Sequence, residues 1–182
     1  MTVDLFREIV NNKFLLILME EDAYLSKLEE IIKSVEKTKT KICYICLSKP
    51  YKDVTEDLKA KGFDVGDFFF IDVLSSHYRS QKATEDCLFV SSPNDLGGIR
   101  EAVKKATRDE KCSVILFDTI STMLIYQQTW SVVRLTHDIV TDNLQENVKK
   151  LFIVLKGDSI PREESQRLVS DLAMFADKAL DV

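Results

Sequence analysis

Glycine is scarce in this chain, with five residues in 182 (Gly62, Gly66, Gly97, Gly98 and Gly157), and there are only three prolines. A loop that cradles phosphate needs glycines, because backbone amides converge on an anion only through conformations that other residues resist. None of the five follows the first predicted strand. That place reads Glu20-Glu21-Asp22, carboxylates where a phosphate would need the opposite charge. Both the P-loop pattern and the dinucleotide fingerprint are therefore excluded. Histidine is nearly as rare: His77 and His137 have no positioned Ser, Cys or Asp partner, and neither G-x-S-x-G nor H-E-x-x-H occurs. Hydrolase signatures thus have nothing to rest on. No run approaches the ~18 apolar residues of a membrane span, and the start Met-Thr-Val-Asp lacks a signal peptide's basic and apolar regions. The reading expects a cytoplasmic protein without membrane attachment. Basic charge is also short, with 25 Lys and Arg against 30 Asp and Glu and a net charge of −5. That balance speaks against nucleic acid, which needs a basic footprint.

Four cysteines are present (Cys43, Cys46, Cys87 and Cys112), each in or beside an apolar run. Cys43 and Cys46 form a C-x-x-C, but inside a predicted strand residues three apart point to opposite faces. Shared chelation and a disulfide are both disfavoured, no second Cys/His pair completes a zinc site, and buried structural thiols are expected.

What the chain does have is an alternation of apolar runs and helical periodicity. Hydrophobic content of 45% and charged content of 30% describe a globular protein. One domain of this length buries roughly 70% of its unfolded surface. Residues 1–12 read as an N-terminal helix with Thr2 a candidate cap, and 13–182 as the core. Strands are predicted at 14–19, 42–47, 68–74, 87–90, 114–118 and 151–155. Helices follow at 22–37 (capped by Asp22), after Pro50 and closed by Gly62, after Ser92-Pro93, over 129–147, and after Pro161. Residues 75–86 read as a polar loop, and 178–182 as a candidate edge strand, antiparallel to the rest. The pattern is that of a doubly wound three-layer α/β/α sheet, mostly parallel.

The centre of this pattern is Val114-Ile115-Leu116-Phe117-Asp118-Thr119-Ile120-Ser121-Thr122. An unbroken apolar run suits a strand covered on both faces, and Asp118 then stands at its carboxyl end, where open α/β sheets bind ligands. Other stretches accompany it in order: Leu47-Ser48-Lys49-Pro50-Tyr51, Phe70-Ile71-Asp72, Phe89-Val90-Ser91-Ser92-Pro93-Asn94-Asp95-Leu96 and Phe175-Ala176-Asp177-Lys178. On these residues the chain resembles the RecA-superfamily ATPases of the KaiC and RadA type, in a branch common in archaea that lacks the phosphate loop. The resemblance implies a RecA-like fold in which the Asp118 and Phe14 strands flank the Leu151 strand. It makes Asp118 the Walker B aspartate, a magnesium ligand in active members. It also implies glutamates after the second strand to polarise the attacking water, and that place reads Ser48-Lys49-Pro50.

With those companions missing, the expectation is an inactive relative of the ATPases with no catalytic residue, metal or cofactor, acting through protein contacts in regulation or signalling. Asp118 is expected to cap the next turn by accepting from amides near Ile120 or Ser121. The alternative is a switch or enzyme in which Glu20, Glu21 and Asp118 hold Mg²⁺, either receiver-like or binding ATP unconventionally. The acids after the first strand, Asp72 and Lys156 suggest a receiver. However, Asp72 has Val73-Leu74 still to come, and Lys156 lies too far along the chain. For a partner surface, the predicted 129–147 helix carries two apolar stripes. Trp130, Val133, His137, Val140 and Leu144 are taken as the core stripe, with His137 a packed histidine. Val132, Leu135 and Ile139 form the second stripe, which is either covered by the chain's own neighbouring helix or is the candidate contact surface for a protein partner or for self-association.

Overall fold

Continuous apolar runs in this chain become strands buried on both faces, and the computed structural model describes residues 3–142, 147–157 and 161–182. The strands are β1 (Phe14–Glu20), β2 (Ile42–Cys46), β3 (Phe68–Asp72), β4 (Cys87–Phe89), β5 (Val114–Asp118), β6 (Lys149–Lys156) and β7 (Lys178–Asp181). Between them run α1 (Leu5–Asn11), α2 (Tyr24–Glu36), α3 (Tyr51–Ala60), α4 (Ser75–Tyr78), α5 (Leu96–Arg108), α6 (Thr129–Thr141) and α7 (Arg162–Ala173). The sheet order is β4-β3-β2-β5-β6-β1-β7, which sets β5 at the centre and β6 between β5 and β1. Alternate residues feed two cores. Leu15, Ile17, Tyr44 and Leu116 pack with Ile9 of α1, Ile31 of α2 and Leu58 of α3. Leu16, Ile115, Phe117 and Phe152 pack with Val103 of α5, Val132 of α6 and Leu168 of α7. This is the RecA-like three-layer α/β/α arrangement.

Cys43 falls in one core and Cys46 in the other, as period-2 alternation requires, and all four cysteines are free and buried.

The antiparallel edge strand is a correction. β7 pairs with β1 in parallel, Leu15 opposite Lys178 and Leu18 opposite Asp181. All of α7 intervenes between β6 and β7, so the chain returns to the sheet's starting edge before re-entering it, as a crossover does. Asp177 fixes the re-entry: its carboxylate accepts from the amides of Lys13 and Phe14, each at 2.8 Å.

Several boundaries also differ. Asp4 caps α1, accepting from the Arg7 amide at 3.2 Å; the Thr2 cap lies outside the described residues. Asp22 belongs to a 3₁₀ turn (Glu21–Ala23), and α2 begins after it without a side-chain cap. α5 starts at Leu96 instead of after Ser92, capped by Asp95 accepting from the Gly98 amide at 2.8 Å. The stretch read as a polar loop opens with the single turn of α4. Gly62 does close α3, at φ +83°, a left-handed conformation that favours glycine.

The largest correction concerns α6. Val132 (0% exposed), Leu135 (4%) and Ile139 (0%) face the chain's own sheet, whereas Trp130 is 60% exposed. His137 is exposed too and meets the edge of the Phe175 ring at 5.9 Å. Leu144 lies outside the described residues. The buried face also includes Ser131 and Thr136. Thr136 satisfies its hydroxyl on the Val132 carbonyl at 3.0 Å and so enters the core without a partner elsewhere. Consequently Ile139→Ala should cost about 2–5 kcal/mol in denaturant unfolding. Trp130→Ala should stay within about 0.5 kcal/mol of the parent.

Candidate functional site

β5 delivers Asp118 to the carboxyl end of the central strand, in register with Cys46 of β2. Tyr44 lies two residues before Cys46 and so shares Asp118's face. From above, Tyr24 enters as the first residue of α2. Its hydroxyl donates to Asp118 Oδ1 at 2.6 Å, and the Tyr44 hydroxyl donates to Oδ2. Asp118 is 3% exposed and Tyr44 2%. The Asp118 carbonyl is engaged as well, accepting from the amides of Leu47 at 3.1 Å and Ser48 at 3.2 Å. The Asp118–Thr119 peptide is cis.

Burial raises the Asp118 carboxyl above the ordinary aspartate range, opposed by the two tyrosine hydroxyls and by the positive charge of Lys49. Tyr24 and Tyr44 are pushed up in turn, first by burial and then by the neighbouring Asp118 charge. Both phenols thus stay protonated and remain donors. The cavity against Tyr24, Tyr44 and Asp118 measures about 30 Å³. A water needs at least about 10–15 Å³ by this measure, so one or two waters fit but a nucleotide does not.

Asp118 makes no bond to the amides of Ile120 or Ser121, contrary to expectation. Ser121 turns the other way and accepts from the Leu155 amide at 3.0 Å, while Thr119 and Thr122 pair their hydroxyls at 2.6 Å. The capping role belongs to Asp72, at the end of β3 and 0% exposed. Asp72 accepts from the amides of Leu74 and Ser75, each at 2.8 Å, and from the Tyr51 amide at 2.7 Å. The Ser75 hydroxyl adds a fourth bond at 2.6 Å. Sequence reasoning missed Tyr24, Tyr44 and this use of Asp72. The available signal for Tyr44 was its position, two residues short of the end of the strand next to β5.

The acidic trio does not assemble. Glu20 bonds Lys156 at 2.9 Å, and Lys156 also bonds Asp181 at 2.8 Å. Glu21 lies against Gly157, where a Cβ would collide with its carboxyl group. Asp118 meanwhile is held by the two tyrosines. Among the described residues no three His, Cys, Asp or Glu side chains gather as a metal site. Lys49, which follows β2, pairs with Asp57 at 2.6 Å. No helix among the described residues is long and apolar enough to cross a membrane.

No protein-family model matches the chain, and no curated protein does. Solved structures do. The KaiC-like protein PH0186 from the hyperthermophilic archaeon Pyrococcus horikoshii aligns over 93% of this chain and 72% of its own, with a TM-score of 0.63 and 10% identity. The uncharacterized protein PH0321 from the same organism, solved in complex with an unknown peptide, aligns over 98% of this chain and 81% of its own, with a TM-score of 0.69 and 15% identity. At such identities the likeness is one of fold alone, and the fold is shared with the KaiC-like protein PH0186.

Proposed function

We propose that this KaiC-like fold serves here as a non-catalytic domain, working through protein contacts in regulation or signalling. The observation that carries the reading is the fate of Asp118. A Walker B aspartate has to reach a metal and its water, whereas this one is enclosed by Tyr24 and Tyr44 beside a space of about 30 Å³. The turn after β1 adds support, since Glu20, Glu21 and Asp22 set negative charge where phosphates would sit. The peptide bound to PH0321 supports the second half, that a domain of this fold engages a protein segment.

Thermal shift tests it, with magnesium alone, ADP, ATP, magnesium-ATP and magnesium with beryllofluoride. A ligand at a hundredfold its Kd stabilises by about 2.7 kcal/mol, roughly 5–10 °C for a domain of this size. The expected shift is below about 1 °C throughout. A magnesium-ATP shift that disappears in Asp118→Asn would overturn the reading. A shift with magnesium alone, lost on Glu20→Gln, would instead favour the carboxylate trio.

A further inference from the structure

The corrected orientation of α6 leaves the only tryptophan of the chain on the surface, between two grooves of opposite charge. On one side a groove of about 310 Å³ is lined by Arg100, Arg134 and Asp138 over a floor of Leu96 and Leu135. On the other a groove of about 400 Å³ is lined by Glu163, Glu164 and Arg167. Trp130 is the wall common to both. The indole is held in place, its N–H donating to Gln128 Oε1 at 2.5 Å, so an incoming group meets a fixed apolar plane.

The charges on either side have capacity to spare. Arg134 has no hydrogen bond or ion pair among the described residues. Arg100 is partly neutralised, pairing with Asp138 at 3.4 Å and through Nε with Glu101 at 3.8 Å, although that buried Nε has no hydrogen-bond acceptor. Among the residues lining the first groove, two guanidiniums face one carboxylate, and with Arg100 paired it is Arg134 that carries the free positive charge, in a chain of net charge −5. Glu163 and Glu164 likewise have no ion pair among the described residues, and against Arg167 they leave the second groove a net anion. An exposed tryptophan flanked by arginines has the composition of a binding hot spot.

We propose that this ridge is the partner site: it takes an extended protein segment in which a bulky apolar side chain packs on Trp130. An acidic residue of that segment meets Arg100 and Arg134, and a basic one meets Glu163 and Glu164. The proposal rests on the protein-contact reading above and gives it a place and a partner chemistry. A nucleic acid is the poorer fit, because a phosphate backbone that stacked on Trp130 would have to run on past Glu163 and Glu164.

Trp130 reports the event directly, being the only indole. The full chain is titrated with the blocked peptide Asp-Glu-Leu-Leu-Lys-Lys, with its reverse sequence, and with the neutral peptide Asn-Gln-Leu-Leu-Gln-Gln. One of the charged peptides is expected to shift Trp130 emission to the blue and saturate, and the neutral one to bind about tenfold more weakly or worse. Arg134→Glu should weaken the charged peptide by at least about tenfold, as should Glu163→Lys combined with Glu164→Lys, with melting temperature unchanged. Three results overturn the proposal: flat emission with both charged peptides, a shift produced by oligothymidylate instead, or a shift that follows protein concentration alone and so marks a second copy. None of these touches the nucleotide thermal shift, so the groove can fail while the non-catalytic reading stands.

Discussion

Asp72→Ala is expected to cost about 3–5 kcal/mol and to lower the denaturant midpoint in proportion, because three amides and one hydroxyl lose a buried acceptor together. The carboxylate is spent in pairs. Oδ1 serves Leu74 and Ser75, and Oδ2 serves Tyr51 and the Ser75 hydroxyl. Those bonds tie the end of β3 to the start of α3 and to the first turn of α4. Asparagine should not rescue, since its NH₂ would face either the amides of Leu74 and Ser75 or the amide of Tyr51. A backbone N–H cannot turn to accept. Asp72→Asn is therefore expected within about 1 kcal/mol of Asp72→Ala, and full recovery by Asn would show that fewer of these amides depend on Asp72 than the geometry implies.

Asp118 should behave in the opposite way. Its partners are hydroxyls, which can rotate and exchange donor for acceptor. In Asp118→Asn one tyrosine can still donate to Oδ1 while the other accepts from Nδ2, so the expected cost at neutral pH lies within about 1 kcal/mol of zero. Asp118→Ala leaves both phenols without their acceptor and opens a void, for about 2–4 kcal/mol. The pH dependence separates the two further. Burial holds the folded-state pKa of Asp118 above its unfolded value of about 3.9, so the folded state binds the proton more tightly. Its contribution to stability is complete below the unfolded value and is lost as pH rises through the folded one. Glu8 and Glu29 work in the other direction, their pKa values lowered by hydrogen bonds to Lys178 and Lys33. The wild type's stability relative to Asp118→Asn should therefore fall as pH rises through that window. A difference that grew with pH would mean that Asp118 is better stabilised as an anion than its burial suggests.

These two aspartates also show how far the sequence carries. Both end apolar strands, but the pattern placed only Asp118 at the carboxyl edge of the sheet; Asp72 fell inside a strand read as 68–74, which in fact stops at Asp72. The apolar runs likewise located the strands, and alternation separated Cys43 from Cys46. What each carboxylate bonds depends on which helix lies over its strand, which is a long-range outcome without a local signature. Tyr24 reaches Asp118 across 94 positions, about half of the chain, so no short motif could announce it. α6 failed for a different reason. Its two stripes are almost equally apolar, so composition alone does not say which one is buried; the buried one also takes in Thr136, whose hydroxyl the helix satisfies internally. β7 was found, but its direction depends on how far α7 carries the chain back, a matter of path and not of residue type.

The sheet order also has a temporal meaning during synthesis. β1 emerges first, yet its neighbours are β6 and β7: Phe14 pairs with Lys150 and Leu15 with Lys178. The half made of β2, β3 and β4 can associate while the ribosome is still at work. Through that period Phe14-Leu15-Leu16-Ile17-Leu18-Met19 has both edges unmet, a bare apolar strand with the features of an aggregation hazard. α1 and α2 flank it in sequence, and Leu5, Ile9, Ile31 and Ile32 reach its face in the finished core. Early docking of these two helices would shield the strand until its late partners arrive, which makes the amino-terminal helix a local escort for the segment that must wait longest.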